Sequence, residues 1–445
     1  MIRGLGQERG LVFRSSGMVE PSFRVIRGFT LMTETVKRSK GTGKANSGRL
    51  YPRDTVEFDW EQRLQSVLAN GGLRVHDVKA PNYEYLRPFD ESPESRGFPV
   101  HADLVDHMLT VREHPDPIIE HALATCAGYA YSDAETLSTI MARMGMKDNR
   151  CRMIQAIAEP MFICSTAFLI QSADGRVAVL CYRGTEPANL INWLTGWDVE
   201  PERIGYQFGD PCAGVHGGFY RNVRATRYEV MQALRRAMEG EPVRGALNGE
   251  RDHEQGRLEA LYITGHSLGG AMAALMAVML QHERKYAELG RLLTAGTVYT
   301  FGQPMIGDPG FAAACQRNPF LRDKVIRYVY DDDVVPHLPP RTSGPYRHFG
   351  RERRYEIPHL KENVLSRMAR LGCVYRPRQG EWQEREHPTS QMPSALGMLL
   401  GISAFAARRS QLLRSLPAVY SYEDHLPHHY ISALTPYGAL NEFGD

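Results

Sequence analysis

No two cysteines form a C-x-x-C pair, and the seven present, at 126, 151, 164, 181, 212, 315 and 373, are scattered and odd in number. That excludes a disulfide framework and points to reduced core thiols in a reducing compartment. Long apolar runs are missing as well: nothing reaches the ~18 consecutive apolar residues of a transmembrane helix. The first 30 residues hold Arg3, Arg9, Arg14, Arg24 and Arg27 and no apolar stretch fit for a secretory leader. The expected location is therefore cytoplasmic or peripheral to a membrane, with no signal peptide or transmembrane helix. No basic segment is interleaved with aromatics, so no nucleic-acid partner is expected.

Net charge is small, at +2 over 445 residues, but unevenly spread. Residues 1–53 carry 11 Lys/Arg against 3 acidic residues, and residues 341–378 carry 10 against 3. Two basic zones on an otherwise acidic chain suit an anionic partner surface, or equally a solvated tail and a solvated face. Residues 1–50 end in KRSKGTGKANSG, which cannot bury a core, and are read as a disordered basic tail. The remainder, 51–445, is read as one large domain with an insertion at about 351–420. Within the insertion, Pro393 to Ala407 is apolar for about four helical turns. It either lies on an anionic membrane, with 393–414 and 341–378 as the contact, or covers the sheet as a buried helix.

What the sequence does have is centred on Leu261 to Leu280, LYITGHSLGGAMAALMAVML. A short apolar strand enters a turn, Gly265-His266-Ser267-Leu268-Gly269-Gly270, and an apolar helix leaves it. In that context G-x-S-x-G places Ser267 at the tip of a strained turn above the sheet edge. The first N–H groups of the helix, that of Leu268 among them, then face a developing oxyanion. Other strands are expected at Phe162 to Ile170 and Val177 to Tyr182, joined as a hairpin at Asp174-Gly175, and at Thr297 to Phe301 and Val325 to Tyr330. Helices are expected over Val56 to Leu68, His101 to Val111, Pro117 to Ala130, and from Gly217 to about Met238. His101, His107, His114 and His121 have no metal-ligand spacing and are read as surface or capping residues.

A serine needs a histidine to take its proton and a carboxylate to orient that histidine. Downstream of Ser267 the acid candidates are Asp308, Asp323 and Asp331-Asp332-Asp333. The base candidates after that cluster are His337, His348, His359, His387, His425, His428 and His429, with the late group preferred by position.

Five motifs in order narrow the choice: Tyr182-Arg183-Gly184-Thr185, His216-Gly217-Gly218-Phe219, the serine turn, Tyr299-Thr300-Phe301-Gly302-Gln303-Pro304, and Asp333-Val334-Val335-Pro336 before Leu338-Pro339-Pro340. Over about 120–350, and again at 421–432, the chain resembles the class 3, fungal-lipase-like lipases of the α/β-hydrolase superfamily. The resemblance implies an α/β fold with a mostly parallel central sheet flanked by helices, and an insertion before the catalytic histidine. It implies Ser267 as nucleophile, Asp333 as triad acid and His425 as base, with His428 and His429 as alternatives. Asp331 and Asp332 then cap the loop, or bind a cation only incidentally. Thr185 and Leu268 correspond to the oxyanion positions, and Trp193, Leu194 and Trp197 fall where fungal members carry a lid. The activity implied is hydrolysis of lipid carboxylic esters through an acyl-enzyme, with no metal or organic cofactor. Alternatives are a phospholipase A1-type effector on anionic membranes, or a non-catalytic lipid-binding protein on the same fold.

Overall fold

In the computed structural model the chain divides into two units, 1–79 and 80–445, and the residues described all lie in the second. They are 97–158, 163–185, 201–203, 213–244, 256–282, 287–357, 380–393 and 421–444. The expected helix at 56–68, the Trp193–Trp197 stretch and residues 394–414 lie outside them.

Three helices come first: α1 (Leu104–Thr110), α2 (Pro117–Tyr129) and α3 (Ala134–Met144). Asp116 caps α2 by accepting from the N–H groups of Ile118 and Ile119, and Pro117 opens the first turn, where its missing N–H costs nothing. Asp133 caps α3 in the same manner. Strands β1 (Arg150–Ala158), β2 (Ile163–Gln171) and β3 (Val177–Tyr182) follow as an antiparallel meander. The β2–β3 turn is the expected hairpin: Gly175 has φ +81° and its N–H bonds Ser172 O at 2.9 Å.

Short strands β4 (Pro201–Arg203) and β5 (Gly214–His216) pair with each other, and α4 (Gly217–Met238) begins at once. Then come β6 (Ala260–His266), α5 (Leu268–His282), α6 (Ala287–Ala295) and β7 (Val298–Phe301). Next are α7 (Pro309–Arg317), α8 (Pro319–Lys324), β8 (Val325–Tyr330), β9 (Arg351–Glu356), β10 (Glu381–Arg385) and α9 (Pro427–Leu434).

Eight strands form one sheet in the order β1-β2-β3-β6-β7-β8-β9-β10. The five central strands from β3 to β9 are mutually parallel, and the outer pairs are antiparallel. Parallel strands buried on both faces must be apolar throughout, and β3 and β6 are buried at every position. Alternation divides their side chains between two cores. Ala178, Leu180, Tyr182, Leu261 and Ile263 pack with α4, α5 and α7. Val177, Val179, Cys181, Ala260 and Tyr262 pack with α1, α2, α3 and α9 on the other face. Cys126, Cys151, Cys181 and Cys315 are buried, but Cys164 is exposed, so the reading of the cysteines as core thiols fails there.

Two other readings are corrected. His121 is a fully buried core residue, not a surface one; its Nδ1 meets His101 Nε2 at 3.1 Å and its Nε2 meets Thr435. A turn of α2 pressed between sheet and α9 buries whatever side chain faces inward, and the two polar partners make a neutral imidazole acceptable there. The stretch 351–420 is also not wholly an insertion: it supplies β9 and β10, which extend the sheet by two strands.

Candidate active site

The turn between β6 and α5 is as tight as its glycines imply. A β-carbon on Gly265 would collide with the backbone of Gly269, and one on Gly269 with the Tyr182 carbonyl. Between them Ser267 adopts φ +60°, a left-handed conformation that costs a non-glycine residue about 1 kcal/mol or more. Its N–H bonds Phe301 O at 2.8 Å, and its carbonyl accepts from Gly270 N at 2.9 Å, which holds the strained residue in place.

Strand β8 runs out at Tyr330 into the loop that carries Asp333. Segment 421–425, almost a hundred residues later, docks on that loop. Ser421 N bonds Asp332 O at 2.7 Å, Val334 N bonds Ser421 O at 3.2 Å, and Asp333 and Ser421 form a parallel bridge. This docking delivers His425, whose Nδ1 lies 2.9 Å from Asp333 Oδ2. The same oxygen accepts from the Tyr430 hydroxyl at 2.5 Å, and Oδ1 accepts from Val335 N at 2.9 Å. Burial of Asp333 favours its neutral form, but His425, Tyr430 and the Val335 N–H outweigh it and hold the carboxyl below the usual range. Asp333 is therefore a buried carboxylate, with Nδ1–H of His425 as its donor.

That assignment leaves Nε2 of His425 unprotonated and without a partner among the described residues. The Ser267 hydroxyl is likewise buried and unpartnered. The three groups share one locality. A β-carbon on Gly302, next to the Phe301 carbonyl that Ser267 N bonds, would lie 2.8 Å from the His425 ring and 2.9 Å from Asp333 Oδ2. The ring of His266, adjacent to Ser267, lies 4.5 Å from that of His425.

His266 and Tyr131 were not singled out from the sequence, yet they fix the histidine. His266 Nε2 donates to the His425 carbonyl at 2.7 Å, and Nδ1 meets the Tyr131 hydroxyl at 2.9 Å. Burial, and then His425, push the His266 imidazole down to about 3, so it stays neutral. Tyr430 did carry a signal, since it lies in 421–432, where the resemblance resumes, five residues after His425. His429 stacks on Tyr330 at 5.1 Å between ring centroids, and His428 is exposed; neither takes the place of His425 on Asp333.

β3 pairs with β6 so that Tyr182 lies beside Gly265, and residues 183–185 continue past the sheet edge next to the serine turn. A β-carbon on Gly184 would lie 2.6 Å from His266 O, so Thr185 leaves the sheet alongside Ser267. Leu268 is the first residue of α5, where N–H groups have no carbonyl of their own helix to bond. The lid candidates Trp193, Leu194 and Trp197 lie outside the described residues. Asp331, Asp332 and Asp424 bring carboxylate oxygens within 4.8 Å of one another. Burial, then Asp331, Asp333 and Asp332, push Asp424 up to about 7, so a retained proton relieves the crowding.

A parallel sheet with helices on both faces, and a serine on a strained strand-to-helix turn opposite an Asp–His pair, define an α/β-hydrolase fold. Within it, residues 179–343 match the class 3 lipase family. The chain is 40% identical over 192 residues to a lipase of Rhizomucor miehei, covering 42% of this chain and 44% of that protein. It is 29% identical over 217 residues to triacylglycerol lipase OBL1 of Ricinus communis, covering 41% and 39%. It is 28% identical over 183 residues to phospholipase A1-II 1 of Oryza sativa subsp. indica, covering 37% and 40%. The chain thus spans about two fifths of the length of these curated relatives. Among solved structures, the lipase of Rhizopus microsporus var. chinensis is 18% identical with a TM-score of 0.42, covering 77% of this chain and 93% of that one.

Proposed function

We propose that the chain is a serine hydrolase that cleaves carboxylic esters of lipids through an acyl-enzyme. The observation that carries this is the buried Asp333–His425 pair beside a serine held at φ +60°. In this reading Ser267 Oγ attacks the ester carbonyl carbon while His425 Nε2 takes its proton. Asp333 keeps the other ring nitrogen protonated and stabilises the imidazolium that forms. The negative oxygen of the tetrahedral intermediate accepts from the N–H groups of Thr185 and Leu268. His425 then returns its proton to the departing alcohol. Water repeats the cycle on the acyl-enzyme, giving the fatty acid and the starting serine. Every step is served by side chains and N–H groups, so no cofactor takes part.

The head group follows from the relatives only as a choice between two. Ricinus communis and Oryza sativa relatives are named as triacylglycerol lipase and phospholipase A1 respectively. A fluorophosphonate probe is expected to label the protein and to lose its target in Ser267→Ala. A panel of p-nitrophenyl esters of rising chain length, run beside phospholipids labelled at each acyl position, then sorts the substrates. Labelling that persists in Ser267→Ala would sink the assignment. An unlabelled wild type would favour the non-catalytic lipid-binding reading.

A further inference from the structure

Between α7, β8 and β9 lies a cavity of about 460 Å³ that contains none of Ser267, Asp333 and His425 among its lining residues. Arg317, Arg327, Arg347, His348, Glu352 and Arg385 are among its walls. Arg327 sits in the first half of β8 and is almost wholly buried, at 1% exposure. The active-site loop leaves the other end of that strand, so at ~3.3 Å per residue the cavity opens well away from the nucleophile. We propose that this cavity binds a phosphate group that retains one P–O–H, the group of inorganic hydrogen phosphate or of a singly charged phosphomonoester head group.

Two buried polar atoms specify that chemistry. Arg327 Nε donates to Phe349 O at 2.8 Å and Nη1 to Glu352 Oε2 at 2.9 Å, while Nη2 has no partner among the described residues. An unmet guanidinium N–H in a cavity wall calls for an anionic oxygen. His348 Nε2 lies 2.8 Å from Pro336 O, a carbonyl, so Nε2 carries the proton and Nδ1 is a lone pair. That Nδ1 is also buried and unpartnered. Burial, then Arg327, push His348 down to about 3, so the ring stays neutral and Nδ1 stays an acceptor. A ligand that accepts from Arg327 and donates to His348 meets both atoms. A carboxylate or a sulfate does only the first; water or a phosphate with one P–O–H does both, and the arginines at the rim favour the anion.

The carboxylate in the wall does not repel such a ligand. Glu352 Oε1 accepts from Thr389 Oγ1 at 2.7 Å, and Oε2 accepts from Thr389 N and Arg327. Its charge is paired with Arg327 and three of its four lone pairs are used. At the rim Arg317, Arg347 and Arg385 face one exposed acid, Glu386, and Arg385 is itself paired with Glu356. The positive charge at the rim and the vacant donor inside therefore act in the same direction.

The test titrates the full chain with sodium phosphate and sodium sulfate at equal ionic strength and about pH 6, where inorganic phosphate keeps a P–O–H and a phosphomonoester is near its own second pKa. A second arm measures flotation with phosphatidylcholine vesicles, with and without phosphatidic acid, whose head group is a phosphomonoester. Phosphate is expected to bind saturably and more tightly than sulfate. Arg347→Ala and Arg317→Ala at the rim should each weaken it on the order of tenfold. His348→Leu, which removes the Nδ1 lone pair that only a P–O–H can meet, should abolish the preference over sulfate. Binding only in the vesicle arm, removed by the same variants, assigns the site to a lipid head group; binding in the phosphate arm assigns it to a soluble phosphate. No phosphate-selective binding in either arm, or binding unchanged in both rim variants, overturns the proposal and leaves the cavity to water. Fluorophosphonate labelling of Ser267 should be the same in all three variants, so the ester-hydrolase reading stands or falls separately.

Discussion

At the scale of single residues, the site is a chain of hydrogen bonds ending in two vacant atoms. Tyr131 and His266 fix the backbone of His425, Asp333 fixes its ring, and Tyr430 fixes Asp333. What remains without a partner among the described residues is His425 Nε2 and Ser267 Oγ, the two atoms that proton transfer requires. Tyr430 is a positioning residue in this chain. Tyr430→Phe removes a 2.5 Å donor from Asp333, so the carboxylate loses part of what holds its pKa down. A lowered folded-state pKa keeps the carboxylate ionised on descending into acid, and losing that donor moves the limit upward. The expected result is a kcat lower by about tenfold with KM within about twofold, and an acid limb of kcat/KM displaced to higher pH. A variant with an unshifted pH profile would make Tyr430 a packing residue only.

At the scale of the element, strand, turn and helix from Ala260 to His282 carry the design. Every residue of β6 is buried, and α5 is buried from Leu268 to Leu280. A helix apolar on all sides is a core helix, and it pins the serine turn to the sheet from behind. Gly269→Ala places a methyl group against the backbone of Tyr182 and Arg183, which cannot rotate away. The expected cost is about 3 kcal/mol, read from urea unfolding, with esterase activity lost together with the native fraction. Wild-type stability in that variant would mean that β3 and α5 stand farther apart than described. The elements legible in advance are those with local signals: the Asp174-Gly175 hairpin, the serine turn, and the apolar strands Val177–Tyr182 and Val325–Tyr330. Strand β9, RERRYE, was not legible, because its charged side chains mask a backbone that simply adds to an existing sheet edge.

At the scale of the whole molecule, two arginines of the basic zone at 341–378 are paired within the fold. Arg351 pairs with Glu384, and Arg353 with Glu120, across strands and onto α2. Arg327 and Glu352 form a pair exposed by 1% and 2%. Burial of Glu352 favours its neutral form, but Arg327, His348 and Thr389 outweigh it and hold the carboxyl down to about 2. A depressed carboxylate contributes stability that is complete above its unfolded value near 4.5 and is lost as pH falls through about 2. Glu352→Gln strands Arg327 in the core and is expected to cost roughly 3 kcal/mol at neutral pH. Urea unfolding of both proteins across that range should show the difference shrinking as pH falls. A constant difference would mean that the charge of Glu352 contributes nothing. No helix among the described residues is long and apolar enough to cross a membrane.

The sequence by itself determined the serine turn, because glycine placement, strand apolarity and a helix start are encoded within a dozen neighbouring residues. The five spaced motifs carried the resemblance to the class 3 lipases, and four of them mark where a strand leaves the central sheet. Only the tertiary structure decided which carboxylate meets which histidine. Asp333 and His425 are 92 positions apart, and their meeting depends on Ser421 pairing with the Asp332–Val334 loop. The burial of His121, the pairing of Arg327 with Glu352 and the vacant atoms beside them were decided there too. Chain spacing says what a side chain is, but its charge state and its partners are set by the elements that close around it.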